Sequence, residues 1–309
     1  MSVETNTSSE TKHRSDLRKA CNFAYQKGLL SSFDGNLSLK INDDLILVTP
    51  KECHKGLAQE EDFVLVDMTG NMISNGNRKP TSDLQIHLEA YRNRKDIKAF
   101  IHAHPPTVVS LSVAGIEINS PVLPDIIVSL GEIPTMQYSG PDRKKEMELT
   151  IEYLAKHDVI VLEKHGAVTV GKSIFQALYR MELLEYAAKT IYQAQALGEA
   201  QTLDDSQIET LVKERHEIYR EEIAGRENLK PFQKNRDTFK LKNIFQKIFN
   251  SDSNVFQRIL NLTNEIILAT LSQTTYSSKL SKEEKEVLSR ELTASLLGML
   301  LGRFTGKKQ

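Results

Sequence analysis

Ala99-Phe100-Ile101-His102-Ala103-His104-Pro105 is a compact apolar run that ends in two imidazoles. Such a run reads as an interior strand, and a strand's period of two puts His102 and His104 on one face. Two neutral imidazoles so close gain little from each other, whereas a shared cation gives both nitrogens a partner. A metal pair and two strand-end histidines bonded to backbone both fit the spacing. A second apolar run, Val159 to Leu162, leads into Glu163-Lys164-His165-Gly166-Ala167. His165 therefore stands where a sheet terminates and a side chain can be exposed. Three histidines that leave a coordination position open are what a catalytic zinc site requires.

Outward from these strands, Leu37 to Ile41 and Leu45 to Val48 read as a hairpin around Asn42-Asp43-Asp44. Phe63 to Val66 is a further strand, closed by the turn Asp67-Met68-Thr69-Gly70. Helical spacing covers Ser15 to Leu30, with Leu17, Ala20, Cys21 and Ala24 on one face, and Thr81 to Arg92, with Thr81 or Ser82 as N-cap. Ile174 to Leu197 is a long helix with alanines on its packing face. Strands mixed with helices predict a three-layer α/β/α domain, and the hairpins favour a mainly antiparallel central sheet over a doubly wound parallel one.

After residue 200 the texture changes. Asp204 to Ala224 is a charged helix pattern followed by a polar stretch around Pro231; Leu241 to Phe249 is basic and amphipathic; Val255 to Leu271 is again helical. Ser281-Lys282-Glu283-Glu284 is a capping box before Val287 to Phe304. The expected organisation is a disordered tail at 1–13, a catalytic domain at 14–200, a helix and linker at 201–235, and an all-helical C-terminal extension at 236–309. The apolar face of 241–249 is read as packing on its neighbours rather than on a membrane.

Composition narrows the function classes. The chain has 309 residues, 39% of them hydrophobic and 26% charged, with a formal net charge of -1. Such a balance gives no global field for nucleic acid or an anionic membrane. Two cysteines, Cys21 and Cys53, are too few for a disulfide framework. The polar start lacks the apolar stretch of a signal peptide, and the run at Leu296 to Leu301 is far below the roughly 20 residues that span a bilayer. The expectation is a cytoplasmic protein with no membrane span and no nucleic-acid partner.

Proton chemistry beside a metal needs a carboxylate. Asp83 follows Pro80-Thr81-Ser82 at a helix start, where it serves either that role or compensation of the helix dipole. Asp125, among the apolar neighbours of Leu123-Pro124-Asp125-Ile126-Ile127, is the other candidate. Gly35-Asn36, Val48-Thr49-Pro50-Lys51 and Thr81-Ser82 are small turn segments of the kind that offer backbone N–H groups to phosphate. Of the remaining histidines, His13 falls in the tail, His216 on a charged helix, His54 and His157 in polar loops, and His87 reads as a packed structural residue.

Taken in order from about Asp16 to Gly198, these segments resemble the class II aldolase/adducin head-domain family, whose best-known enzymes are L-fuculose-phosphate aldolase and L-ribulose-5-phosphate 4-epimerase. The likeness rests on Asp34-Gly35-Asn36-Leu37-Ser38, Val48-Thr49-Pro50, Pro80-Thr81-Ser82-Asp83 with His87 following, His102-Ala103-His104-Pro105-Pro106, Tyr138 and His165-Gly166. The resemblance implies a nine-stranded, mainly antiparallel sheet and a homo-oligomer, typically a tetramer. It implies Zn2+, or another divalent transition metal, on His102, His104 and His165, and a sugar phosphate held through Asn36, Thr49, Thr81 and Ser82 with Gly35. The implied activity is that of a metal-dependent aldehyde-lyase cleaving a phosphorylated ketose through a zinc-stabilised enediolate. Dehydration or epimerisation on the same fold, and a non-catalytic adducin-like interaction module, are the alternatives.

Three departures from the family pattern stand out. Asp83 lies where the aldolases carry a catalytic glutamate; the side chain is shorter by one methylene, about 1.5 Å of reach. A carboxylate in the segment of Asp125 resembles the acid/base glutamate of the methylthioribulose-phosphate dehydratase branch. Lys51-Glu52 replaces a small residue and glycine.

Overall fold

In the computed structural model the chain divides into two compact units, Met1–Asn235 and Arg236–Gln309. The structure describes residues 7–73, 78–198 and 200–224, with three isolated positions beyond them. The amphipathic stretch 241–249, the helix expected at 255–271 and, apart from Leu288 and Leu292, the helix expected at 287–304 lie outside the described residues.

Helix α1 (Thr7–Gln26) leads into the hairpin β1 (Asn36–Lys40) and β2 (Leu45–Val48), then β3 (Val64–Asp67). The hairpin closes where expected because Asn42 Oδ1 accepts the N–H groups of Asp44 and Leu45, both at 2.9 Å. Next come α2 (Leu84–Asn93), β4 (Ala99–Ala103), α3 (Pro106–Val113), α4 (Pro124–Leu130) and β5 (Thr135–Met136). The remaining elements are α5 (Arg143–Leu154), β6 (Val159–Leu162), β7 (Gly166–Gly171), α6 (Ile174–Leu197), α7 (Asp205–Ile218) and α8 (Arg220–Ile223).

The strands form one sheet in the order β3-β2-β1-β4-β7-β6-β5, antiparallel throughout except for the parallel β5–β6 pair. Both faces are covered, so the strands are apolar on both sides. Leu37, Leu39, Leu47, Ile101 and Val161 pack in the layer that includes α1, α3, α4 and α6. Ile46, Val48, Phe100, Ile160 and Val168 pack with α2 and α5. The alternation decides where the site lies: with Leu37 and Ile101 turned toward α1 and α6, Asn36, Ser38 and His102 turn toward α2 and α5.

Three expectations need correction. The tail does not extend through residue 13, because α1 already runs from Thr7. Arg14 stabilises this early turn, bonding Glu10 at 2.8 Å one turn back and the carbonyls of Glu60 and Phe63. Helix α2 starts at Leu84 with Asp83 as N-cap, not with Thr81 or Ser82. The described residues form seven strands rather than nine; Pro50↔Pro80 and Val66↔Met72 pair only as isolated bridges. No helix among the described residues is long and apolar enough to cross a membrane.

Candidate metal centre and active site

His102 sits near the end of β4, opposite Asn36 on β1 and Val168 on β7. Its Nδ1 lies 3.1 Å from the Ala167 carbonyl. A carbonyl only accepts, so Nδ1 carries the proton and Nε2 keeps its lone pair. His104 Nε2 stands 3.0 Å from that Nε2. His165 occupies the three-residue turn between β6 and β7, where Lys164 adopts φ 60°, a left-handed conformation uncommon outside glycine. Its Nδ1 is 3.0 Å from Glu146 Oε1 on α5. One nitrogen from each of the three rings falls within 4.8 Å of the others.

Close backbone approach makes this convergence possible. A Cβ at Gly166 would overlap the Ala103 carbonyl and the His104 ring, and one at Gly35 (φ 68°) would overlap Leu30 and the His102 carbonyl. Burial, then the neighbouring His104 and His165, hold His102 well below its ordinary pKa. His104 is lowered by burial and by His165, against the opposing pull of Asp34. Both rings are thus neutral near pH 7, the form that ligates a cation. Two of the three histidines have an acceptor behind Nδ1, as metal-ligating imidazoles generally do. The donor set fits a divalent metal ion with a position left open.

Asp83 reaches the same cavity. As the N-cap residue of α2 it would ordinarily turn its carboxylate onto the helix N–H groups, yet it makes no such bond. Oδ2 instead accepts from Asn36 Nδ2 at 2.8 Å, and Oδ1 lies 3.6 Å from the Arg143 guanidinium. Forgoing the cap costs about 1 kcal/mol, which points to another use for the carboxylate. Asn36, Ser82, Asp83, His102, His165, Arg143 and Glu146 line a cavity of about 200 Å³, a size for a small metabolite.

The turn segments read as phosphate sites are drawn together in part. Thr81 N–H donates to Thr49 O at 3.1 Å, and Lys51 N–H to Lys79 O at 2.9 Å, so the loops containing 49–51 and 79–82 run side by side. Ser82 is exposed, and Thr81 is buried with its hydroxyl accepting the Asp83 N–H at 3.3 Å. Thr49 is wholly buried, and its hydroxyl accepts the Leu37 N–H at 3.1 Å; it ties the loop to β1. Gly35 supplies the turn into β1. Asp125 lies exposed in the first turn of α4 and does not line the cavity. A second acid that does line it beside Asp83, Glu146, was missed, as was Arg143. They stand in the charged run Arg143-Lys144-Lys145-Glu146, whose residue types alone suggest a solvated helix start.

A layered, mostly antiparallel sheet that presents three imidazoles and a diverted helix-cap acid at its strand ends defines a metal-site scaffold of the class II aldolase kind. The chain belongs to the Class II Aldolase and Adducin N-terminal domain family, whose profile matches residues 15–192. It is 30% identical over 194 residues to the 3-oxo-tetronate 4-phosphate decarboxylase of Pectobacterium atrosepticum, covering 62% of this chain and 88% of that protein. It is 33% identical over 171 residues to the L-fuculose phosphate aldolase of Methanococcus vannielii, covering 55% and 91%. Among solved structures, YgbL of Escherichia coli superposes with a TM-score of 0.61 at 28% identity, over 66% of this chain and 99% of that one.

Proposed function

We propose that this protein is a zinc-dependent lyase that breaks a carbon–carbon bond beside the carbonyl of a phosphorylated three-carbon unit. The reading is carried by three convergent imidazoles, two of which (His102 and His165) line one cavity with Asp83, an N-cap acid that does not cap its helix. The two relatives' names favour a common half-reaction. Loss of carbon dioxide from a 3-oxo-tetronate 4-phosphate, and aldol cleavage of fuculose 1-phosphate between its third and fourth carbons, both leave the enediolate of dihydroxyacetone phosphate.

Bound at His102, His104 and His165, zinc would supply Lewis-acid stabilisation of developing negative charge. The protein's own groups do the rest. Asp83 moves a proton to and from the carbon next to the carbonyl, at a carboxylate oxygen facing the cavity. Asn36, with one amide hydrogen committed to Asp83, has a second for the phosphate, and Ser82 and the adjoining backbone complete that subsite. Glu146 holds the His165 ring by its Nδ1–H. The cavity's inner side, formed by Phe100, Leu162 and Val168, excludes water from the reacting carbon.

Decarboxylation is favoured over aldol cleavage by one observation: Arg143 places a guanidinium on the cavity wall, where a substrate carboxylate would be received. The dehydratase reading loses support with Asp125 outside the cavity.

The test uses purified full-length protein loaded with zinc. Stoichiometric metal, together with exchange of the dihydroxyacetone phosphate C–H proton for deuterium in heavy water, is the expected outcome. Bound metal without exchange would remove the shared half-reaction. Absence of any bound zinc, manganese or cobalt would favour the non-catalytic module. Release of carbon dioxide from a 3-oxo acid phosphate, against release of dihydroxyacetone phosphate from a 1-phosphoketose, separates the two lyases.

A further inference from the structure

Behind Asp83 lies a string of buried polar groups that the lyase reading does not use. Tyr91 and His87, on α2, and Ser38, on β1, are fully buried. Tyr91 Oη is 2.7 Å from Ser38 Oγ, and Ser38 Oγ is 2.6 Å from His87 Nδ1. His87 Nε2 is 2.6 Å from Asn36 Oδ1, and Asn36 Nδ2 is 2.8 Å from Asp83 Oδ2. These four contacts join end to end, from the last turn of α2 to the cavity.

We infer that this is a one-way hydrogen-bond chain, Tyr91 to Ser38 to His87 to Asn36, which fixes the amide donor that holds Asp83 and makes Ser38 and His87 positioning residues. The inference rests on Asp83 acting as the proton-carrying carboxylate. The direction follows from donor and acceptor inventory. An Asp83 carboxylate only accepts, so Asn36 turns its NH2 toward it and its oxygen toward His87. That oxygen only accepts, so His87 must carry its proton on Nε2. Burial pushes the His87 imidazole down to about 3, so it stays neutral and its Nδ1 has a bare lone pair. Ser38 therefore donates to His87, and Tyr91 donates to Ser38. Burial also raises the Tyr91 phenol, which stays protonated, while the Phe100 backbone N–H bonds its oxygen.

Each member has one arrangement that satisfies it, and reversing any link would set two acceptors or two donors face to face. An asparagine alone can flip its amide at small cost; here the flip would cost two hydrogen bonds, one buried and one partly buried. The chain thus gives Asp83, one methylene shorter than a glutamate, a fixed position instead of a longer reach.

Two measurements on zinc-loaded, full-length protein test this. Nitrogen-15 NMR of labelled histidines, with the His87 signal identified from a His87→Gln variant, should show His87 as the neutral Nε2–H tautomer from pH 5 to 9. The Nδ1–H tautomer, or a cationic ring, would overturn the direction. The second measurement is deuterium exchange into dihydroxyacetone phosphate. Ser38→Ala should lower the maximal exchange rate about 10- to 100-fold, the scale of a small misplacement of a reacting group. KM should change less than twofold, and zinc should remain stoichiometric. Tyr91→Phe, which keeps the ring's shape, should lose a few-fold and also serves if Ser38→Ala does not fold. Full exchange in zinc-bound Ser38→Ala, or a change confined to KM, would overturn the positioning role. Full exchange in Asp83→Asn would instead reject Asp83 as the base, while the NMR signal would still decide the chain's direction.

Discussion

The cavity has two kinds of wall. His102, with His104 just beyond the strand end, and His165 stand on a strand end and a tight turn, fixed by ladder hydrogen bonds and by glycines that let neighbouring backbones touch. Asp83, Arg143 and Glu146 come from the N-terminal ends of α2 and α5, and Glu146 meets His165 through a single side-chain hydrogen bond. On the strand side the backbone fixes the candidate ligands rigidly, whereas on the helix side single side-chain contacts aim the acids. Substitutions on the strand side should be all-or-none, and those on the helix side graded.

The largest effect is expected from His104→Ala. One of three ligands is lost where the other two cannot move, so bound zinc and turnover should both disappear, with circular dichroism unchanged. Metal retained at full stoichiometry, measured by mass spectrometry, would take His104 out of the ligand set and break the contrast between the walls.

Asp83→Asn comes next. It keeps the size of the side chain but removes the carboxylate proposed to carry the proton, so a fall in kcat of roughly 10²- to 10⁴-fold is expected with zinc in place. Because the aspartate does not cap α2, the melting temperature should hardly change. A substantial drop in melting temperature with kcat preserved would mean that the residue serves the helix after all.

Legibility in the sequence follows the same division. His102-Ala103-His104 was readable because a strand's period of two is rigid: residues two apart share a face whatever surrounds them. The hairpin around Asn42 and the helix at 174–197 were readable for the same local reason. Asp125 falls outside the cavity, although its sequence neighbours are apolar. On α4, Ile126 and Ile127 are buried while Asp125 stays exposed in the first turn. Glu146 was hidden for the opposite reason. It lies in a run of charges that marks a solvated helix start, and only the placement of α5 beside the β6–β7 turn brings it to His165. The chain Tyr91–Ser38–His87–Asn36 joins residues up to 53 positions apart, so no window of sequence contains it. His87 was read as structural from its helix; it is buried, but its Nε2 bond to Asn36 leads toward the cavity.

Glu146→Gln sharpens the comparison. The amide can still accept from His165 Nδ1–H but without a full charge, so the ring is held less firmly. Losing such an outer partner typically costs 10- to 100-fold in metal affinity. A competition titration with a zinc chelator should show a shift of about tenfold, with activity restored by excess zinc. An unchanged affinity would mean that the strands alone orient His165.

Arg143→Ala should have the smallest effect on the protein and the most selective one on substrates. The guanidinium is 77% exposed and 3.6 Å from Asp83 Oδ1, too far for a good hydrogen bond and open to screening by salt. Neither melting temperature nor bound zinc should change. If the substrate carries a carboxylate, however, that group would meet Arg143 at the cavity wall, and its removal should raise KM for a 3-oxo acid phosphate on the order of tenfold, the scale of one charge-assisted hydrogen bond. KM for dihydroxyacetone phosphate, which has no carboxylate, should stay within a factor of about two by the same argument. Equal losses on both compounds would make Arg143 a phosphate or Asp83 contact and tilt the reaction back to aldol cleavage.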